Sequence, residues 1–150
     1  MARKLRIAVT LLAAVGLARA ATADEVIPTV RASTAQGASI GFTLVYGKPN
    51  CFMWSCSGSF GMTLEGEAGL TGAKGAIGIG LAEGSEGRPL LLALKGAVLR
   101  SWTGSRLTAP KSVFAGPELD VVQGWGGTIG LLKRLDGPGW RFSAGVVRAF

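Results

Sequence analysis

Six charged residues fall on one face of their alternating segments: Glu65, Glu67, Lys95, Glu118, Asp120 and Arg141. Paired carboxylates can do acid/base work, and carboxylates mixed with cations can relay protons or form a closed salt-bridge network. An isolated buried charge costs several kcal/mol, so charges that share an interior must be paired or hydrogen-bonded. A structural network is therefore the leading reading. A proton or small-solute path and a Glu65–Glu118 catalytic pair are the alternatives. The chain has no His, which removes Ser-His-Asp hydrolysis, His–metal sites and imidazole acid/base chemistry. Ser57, Ser59 and Ser112 have no visible base. Two cysteines cannot build a four-cysteine zinc site or an iron–sulfur cluster. The Gly75-Ala76-Ile77-Gly78 run is no phosphate cradle, because no helix pattern follows it. No metal or cofactor is expected.

The elements that must position these residues begin after a targeting segment. Arg3, Lys4 and Arg6 precede a short apolar run, Ile7 to Ala18. Two Ala-x-Ala motifs follow, Ala18-Arg19-Ala20 and Ala21-Thr22-Ala23. This is the layout of a secretory signal peptide over residues 1–23, and the run is too short to span about 30 Å of hydrocarbon. Its four basic residues and no acids mean that removal takes the formal charge from +7 to +3. The remaining basic residues are scattered, so nucleic-acid binding is not expected. An exported chain meets an oxidising compartment, so Cys51 and Cys56 are expected to form a disulfide.

Residues 24–150 read as one all-β domain. Glycine recurs throughout, which penalises helix, and several segments alternate with period two. In Phe60 to Leu70, Phe60, Met62, Leu64, Ala68 and Leu70 oppose Gly61, Thr63, Glu65, Glu67 and Gly69. Ile40 to Gly47, Ala76 to Glu83 and Trp140 to Phe150 alternate in the same way. Strands are also expected at Leu90–Trp102, Ser112–Val122 and Thr128–Leu135, with Pro117 marking a bulge or a strand start. Val26 to Ala32 supplies an eighth strand despite Pro28. Turns are expected at residues 71–74, 84–87, 124–127 and 136–139, and a long link over Lys48–Ser57. With no helix between strands, the topology is an antiparallel up-and-down meander closing into an eight-stranded β-barrel.

Alternation alone does not say which face is the core. In a soluble barrel the apolar face points inward; in a membrane barrel it meets lipid. The face opposite the apolar one is rich in Gly41, Gly61, Gly69, Gly78, Gly80 and Gly145, which suits a narrow barrel interior. Tyr46, Trp102, Trp125, Trp140 and Phe150 stand near strand ends, as membrane-interface aromatics do. A signal segment, a Gly-rich meander and a last strand Trp140-x-Phe142-x-Ala144-x-Val146 ending in Phe150 resemble the small outer-membrane β-barrels of Gram-negative bacteria. The comparison is with the OmpA-type transmembrane domain and OmpX-like proteins. Arg148 departs from the apolar residue usual two before the end.

The resemblance implies an outer-membrane location, both termini on the periplasmic side, and membrane lipids with the secretion and barrel-assembly machinery as partners. Tyr46, Trp125 and Phe150 would then share the periplasmic rim, and Trp102 and Trp140 the outer one. Outer-membrane barrel enzymes rely on a histidine, so a non-enzymatic structural or envelope-related role with a polar plugged lumen is expected. The alternatives are a soluble periplasmic or secreted barrel holding a small apolar ligand, and a minor small-solute channel.

Overall fold

The computed structural model describes residues 24–52, 55–83, 89–103 and 110–150, without the side chains of 49–57. The signal segment, the expected 84–87 turn and the side chains of Cys51 and Cys56 lie outside the described residues. Eight antiparallel strands follow one another: β1 (Glu25–Ser33), β2 (Gly37–Phe52), β3 (Ser55–Gly69), β4 (Gly72–Glu83), β5 (Leu90–Ser101), β6 (Val113–Gln123), β7 (Trp125–Arg134) and β8 (Trp140–Ala149). Each pairs with its neighbours in sequence, and β8 pairs back onto β1 to close the barrel. Closure removes the exposed edges that a single open sheet would carry.

The register fixes the geometry of closure. Glu25 is opposite Val45, Val45 opposite Thr63, Thr63 opposite Gly78 and Gly78 opposite Lys95. Lys95 is opposite Glu118, Glu118 opposite Gly130 and Gly130 opposite Ser143. Ser143 is two residues before Gly145, which faces Ser33. The circuit that began at position 25 therefore returns in line with position 35, two residues past the end of β1, a stagger of ten residues (35 minus 25). Ten residues spread over eight strands slants the strands by roughly 40° to the barrel axis.

Pro28 is accommodated because the pairing of β1 with β8 starts at Thr29, so no ladder bond needs the missing N–H. Its carbonyl accepts from Phe150 N at 3.1 Å, which ties down the C-terminus. Pro117 neither starts β6 nor shifts its register. It sits mid-strand opposite Gly96, and the ladder to β7 skips from Ala115 to Glu118.

Three expected breaks turn out to be strand. The Lys48–Ser57 link is the far end of the β2–β3 hairpin, paired to Phe52 and Ser55 with a register shift after Asn50. β4 begins at Gly72, so most of the 71–74 turn belongs to it. β7 begins at Trp125, which leaves Gly124 alone as the turn between Gln123 and Trp125. Backbone pairing competes with local turn chemistry, and closing a barrel rewards every added ladder bond. Gly124 has φ +67°, a conformation costly for a residue with a Cβ. Gly124→Ala should therefore lower the free energy of unfolding by about 1–2 kcal/mol, read from urea titration of the folded protein.

Candidate functional site

The interior is layered along the barrel axis. Toward the termini it is filled by Ile27, Val45, Leu91, Val122 and Val147 with small Ala82, Ala93 and Ala149. Toward the opposite end it is filled by Leu99, Phe114 and Leu132 with Ala35, Ala76 and Ala97. Between these apolar layers lie seven buried charges: Arg31, Lys74 and Lys95 against Glu65, Glu67, Glu118 and Asp120.

Alternation places each of them. Arg31 continues the inward face of β1 after Ile27 and Thr29, both buried, while Val26 and Val30 point out. Glu65 and Glu67 are two apart on β3, and Glu118 and Asp120 two apart on β6, so each pair projects to one side. Lys95 stands directly opposite Glu118 across the β5–β6 ladder, and Lys74 directly opposite Glu67 across β3–β4.

Arg31 crosses the lumen. Its Nη1 donates to Glu118 Oε1 at 2.9 Å and its Nη2 to Asp120 Oδ2 at 2.9 Å. Nη2 also lies 3.4 Å from Glu65 Oε2, and Nε 3.3 Å from Glu67 Oε2. Lys74 Nζ reaches Glu65 Oε1 at 2.8 Å, Glu67 Oε2 at 2.9 Å and Glu118 Oε1 at 2.7 Å. Lys95 Nζ contacts Glu65, Asp120 Oδ2 at 2.5 Å and Glu118 Oε1 at 3.4 Å. Hydroxyls fill in the edges. Ser39 Oγ donates to Glu67, Thr43 Oγ1 donates to Glu65 Oε2 at 3.4 Å, and Thr128 Oγ1 accepts from Arg31.

Oxygens of Glu65, Glu118 and Asp120 lie within 4.8 Å of one another, a spacing a metal ion could bridge. The Lys95 ammonium already touches all three, so their charge is met by protein cations. A cavity of about 10 Å³, room for a single water, lies beside Arg31, Lys74 and Glu118. The arrangement is a buried ion-pair network across the lumen.

Of the six charges read from the sequence, five meet in this network. Arg141 does not. It has the inward parity of β8 but stands next to the strand's start, directly opposite Leu132 of the apolar layer away from the termini, and is exposed. Arg31 and Lys74 were missed, although with Lys95 they are the cations that bind the two carboxylate pairs together. Arg31 lay in the weakest strand, and Lys74 in a segment read as a turn. Counting parity back from Ile77 would have placed Lys74 inward.

The aromatics sort by end. Trp125 and Phe150 are exposed at the terminal end, to which Tyr46 of β2 also belongs, and Trp140 is exposed at the other, which Trp102 shares. The anomalous Arg148 has a local explanation: its Cζ lies 5.1 Å from the Trp125 ring centre and 4.7 Å from that of Phe150. At the far end Lys133 Nζ lies 5.8 Å from the Trp140 ring centre, and Trp102 Nε1 donates to Leu70 O at 3.0 Å. In the β7–β8 turn Arg134 Nε donates to Asp136 Oδ1 at 2.8 Å, which holds this exposed carboxyl below its usual range.

Fold and interior together define a closed, eight-stranded antiparallel β-barrel with a buried ion-pair network inside, which is consistent with an OmpX-like architecture. Comparison of the chain with family models, curated proteins and solved structures finds no match.

Truncating one partner of a buried ion pair leaves its counter-charge stranded. Arg31→Met should therefore destabilise by about 3–5 kcal/mol, against less than about 1 kcal/mol for Arg134→Met at the surface. Four carboxylates face three cations, so Glu67→Gln should cost less than Lys95→Met. Unfolding curves of the four variants test both orderings. A lowered carboxyl pKa stabilises the fold at neutral pH and loses that contribution as pH falls through the folded-state value. The Asp136 titration should accordingly move up in Arg134→Gln, seen by NMR.

Proposed function

We propose that this chain is an exported, non-enzymatic outer-membrane β-barrel whose closed lumen gives it a structural, envelope-related role. The observation that carries this reading is its inverted polarity. Charges are buried inside, while large apolar side chains are exposed on the outer wall of every strand. They include Val30 on β1, Ile40 on β2, Met62 on β3, Ile79 on β4, Leu94 on β5, Val121 on β6, Ile129 on β7 and Phe142 on β8. Exposed apolar patches on soluble proteins rarely exceed a few hundred Å², and a band around a whole barrel is far larger. Hydrocarbon is the solvent in which such a wall is stable.

Two further features agree. Each strand has at least nine residues, the minimum for a slanted membrane strand, with β1 the shortest at 9. Exposed Trp125, Phe150 and Trp140 stand at the two ends of the apolar band, where interfacial rings are favoured. A soluble barrel for a small apolar ligand would need an apolar cavity, yet the middle of this lumen is ionic and its ends are packed. Conduction is opposed by Arg31 and its partners, which fill the cross-section.

Cell fractionation followed by gel electrophoresis with and without boiling tests the reading. The protein should partition with the outer membrane and migrate faster unheated, as a closed barrel does. Recovery in the soluble periplasm without a heat-dependent shift would overturn it. In planar bilayers the wild type should give no steady conductance, and an open channel would remove the plugged-lumen role.

A further inference from the structure

The two ends of the barrel carry different charge. At the end away from the termini the described charged residues are Arg100, Lys111, Lys133, Arg134 and Arg141, against Asp136 alone. Asp136 is taken by Arg134. Arg100, Lys111, Lys133 and Arg141 are exposed, and no described carboxylate pairs with them. At the terminal end Asp24, Glu25 and Glu83 outnumber Lys48 and Arg148. The buried network does not contribute to this asymmetry, because its charges are sealed between apolar layers.

The cations are also grouped. Arg100 is near the end of β5 opposite Val113, Lys111 is in the connection to β6, Lys133 is near the end of β7 opposite Trp140, and Arg141 follows on β8. They form a basic half-rim over β5–β8. The β1–β4 half of the same end presents uncharged Thr34, Leu70 and Thr71.

Directly below the basic half-rim the wall is apolar. Val98 is two residues below Arg100, Leu131 two below Lys133 and Phe142 next below Arg141, and all three are about half exposed or more. Lys133 lies over the ring of Trp140, its partner across the β7–β8 ladder, so a cation and an aromatic ring share one level of the rim. A surface of hydrocarbon contacts topped by cations matches acyl chains topped by phosphate.

We infer that the β5–β8 half-rim is a binding surface for phosphate-bearing anionic lipid headgroups of the leaflet at the end of the barrel away from the termini. The inference rests on the membrane reading above and adds a side and a lipid class to it. Guanidinium groups donate in pairs to phosphate oxygens, and ammonium groups supply point charges. Each cation near an anionic surface strengthens binding roughly fivefold.

The test uses the full chain, recovered folded in zwitterionic detergent and placed in nanodiscs of phosphatidylcholine with or without phosphatidylglycerol. After gentle delipidation the retained lipid is counted by native mass spectrometry. Phosphatidylglycerol should be retained in preference to phosphatidylcholine. The preference should fall by on the order of a hundredfold in the triple variant Arg100→Gln, Lys133→Gln, Arg141→Gln. The charge-preserving Arg100→Lys, Arg141→Lys variant should keep most of it. Equal retention of both lipids by the wild type would overturn the inference, as would an unchanged preference in the triple variant. If the triple variant fails to fold, single Lys133→Gln and Arg141→Gln variants must each still weaken the preference. A protein that needs no detergent at all would sink the membrane reading itself, a different outcome from a barrel that embeds but ignores headgroup charge.

Discussion

A charge enclosed by protein on every side must meet its counter-charge, and the interior of this barrel is organised by that requirement. Arg31 is buried to 2% exposure and is the centre of the solution. It gathers carboxylates from β3 and β6, on opposite parts of the wall, into one compartment. Lys74 and Lys95 tie the same carboxylates from β4 and β5. Each strand register must be held for these contacts to exist, since a slip of one residue would turn a charge outward. A buried ion-pair network is a weak source of net stability, and the contacts of this one exist only in a single strand register.

The stagger of the sheet and the composition of the inner face support that arrangement. A ring of eight strands slanted by roughly 40° encloses a lumen just wide enough to be filled by side chains. Long charged side chains from β1, β3, β4, β5 and β6 fill the middle. Small residues make room for them: Gly41, Gly78 and Gly145 lie close against neighbouring backbone. A Cβ at Gly78 would come 2.1 Å from Leu94 O, so the glycine is required by the approach of β5. The apolar layers at both ends exclude water from the charges and make their pairing stronger.

The outer wall follows from the same alternation. Once the polar residues of each strand face inward, its apolar residues face outward. The interior polarity, the apolar wall, the aromatic ends and the basic half-rim are therefore one pattern. Arg148 is where that pattern bends, a cation on the outer face held by two aromatic rings near the terminal end.

Much of this was legible in the chain. Period-two alternation in segments such as Phe60 to Leu70 determined the strands and their two faces, and eight strands without helices determined a meander. Glu65, Glu67, Lys95, Glu118 and Asp120 could be placed inward because parity is a local property of a strand. Four matters needed the tertiary structure. Only closure of β8 onto β1 confirmed the Pro28-containing strand and brought Arg31 to Glu118, 87 residues away. Only the ladder extended β4 back to Gly72 and made Lys74 a lumen residue. Only the height of Arg141 on its strand separated it from a network its parity allowed it to join. Only the ends of the barrel, assembled from distant strands, collected Arg100, Lys111, Lys133 and Arg141 on one side. Parity says which way a side chain points, whereas partner and depth depend on register between strands, and that is decided by the closed sheet as a whole.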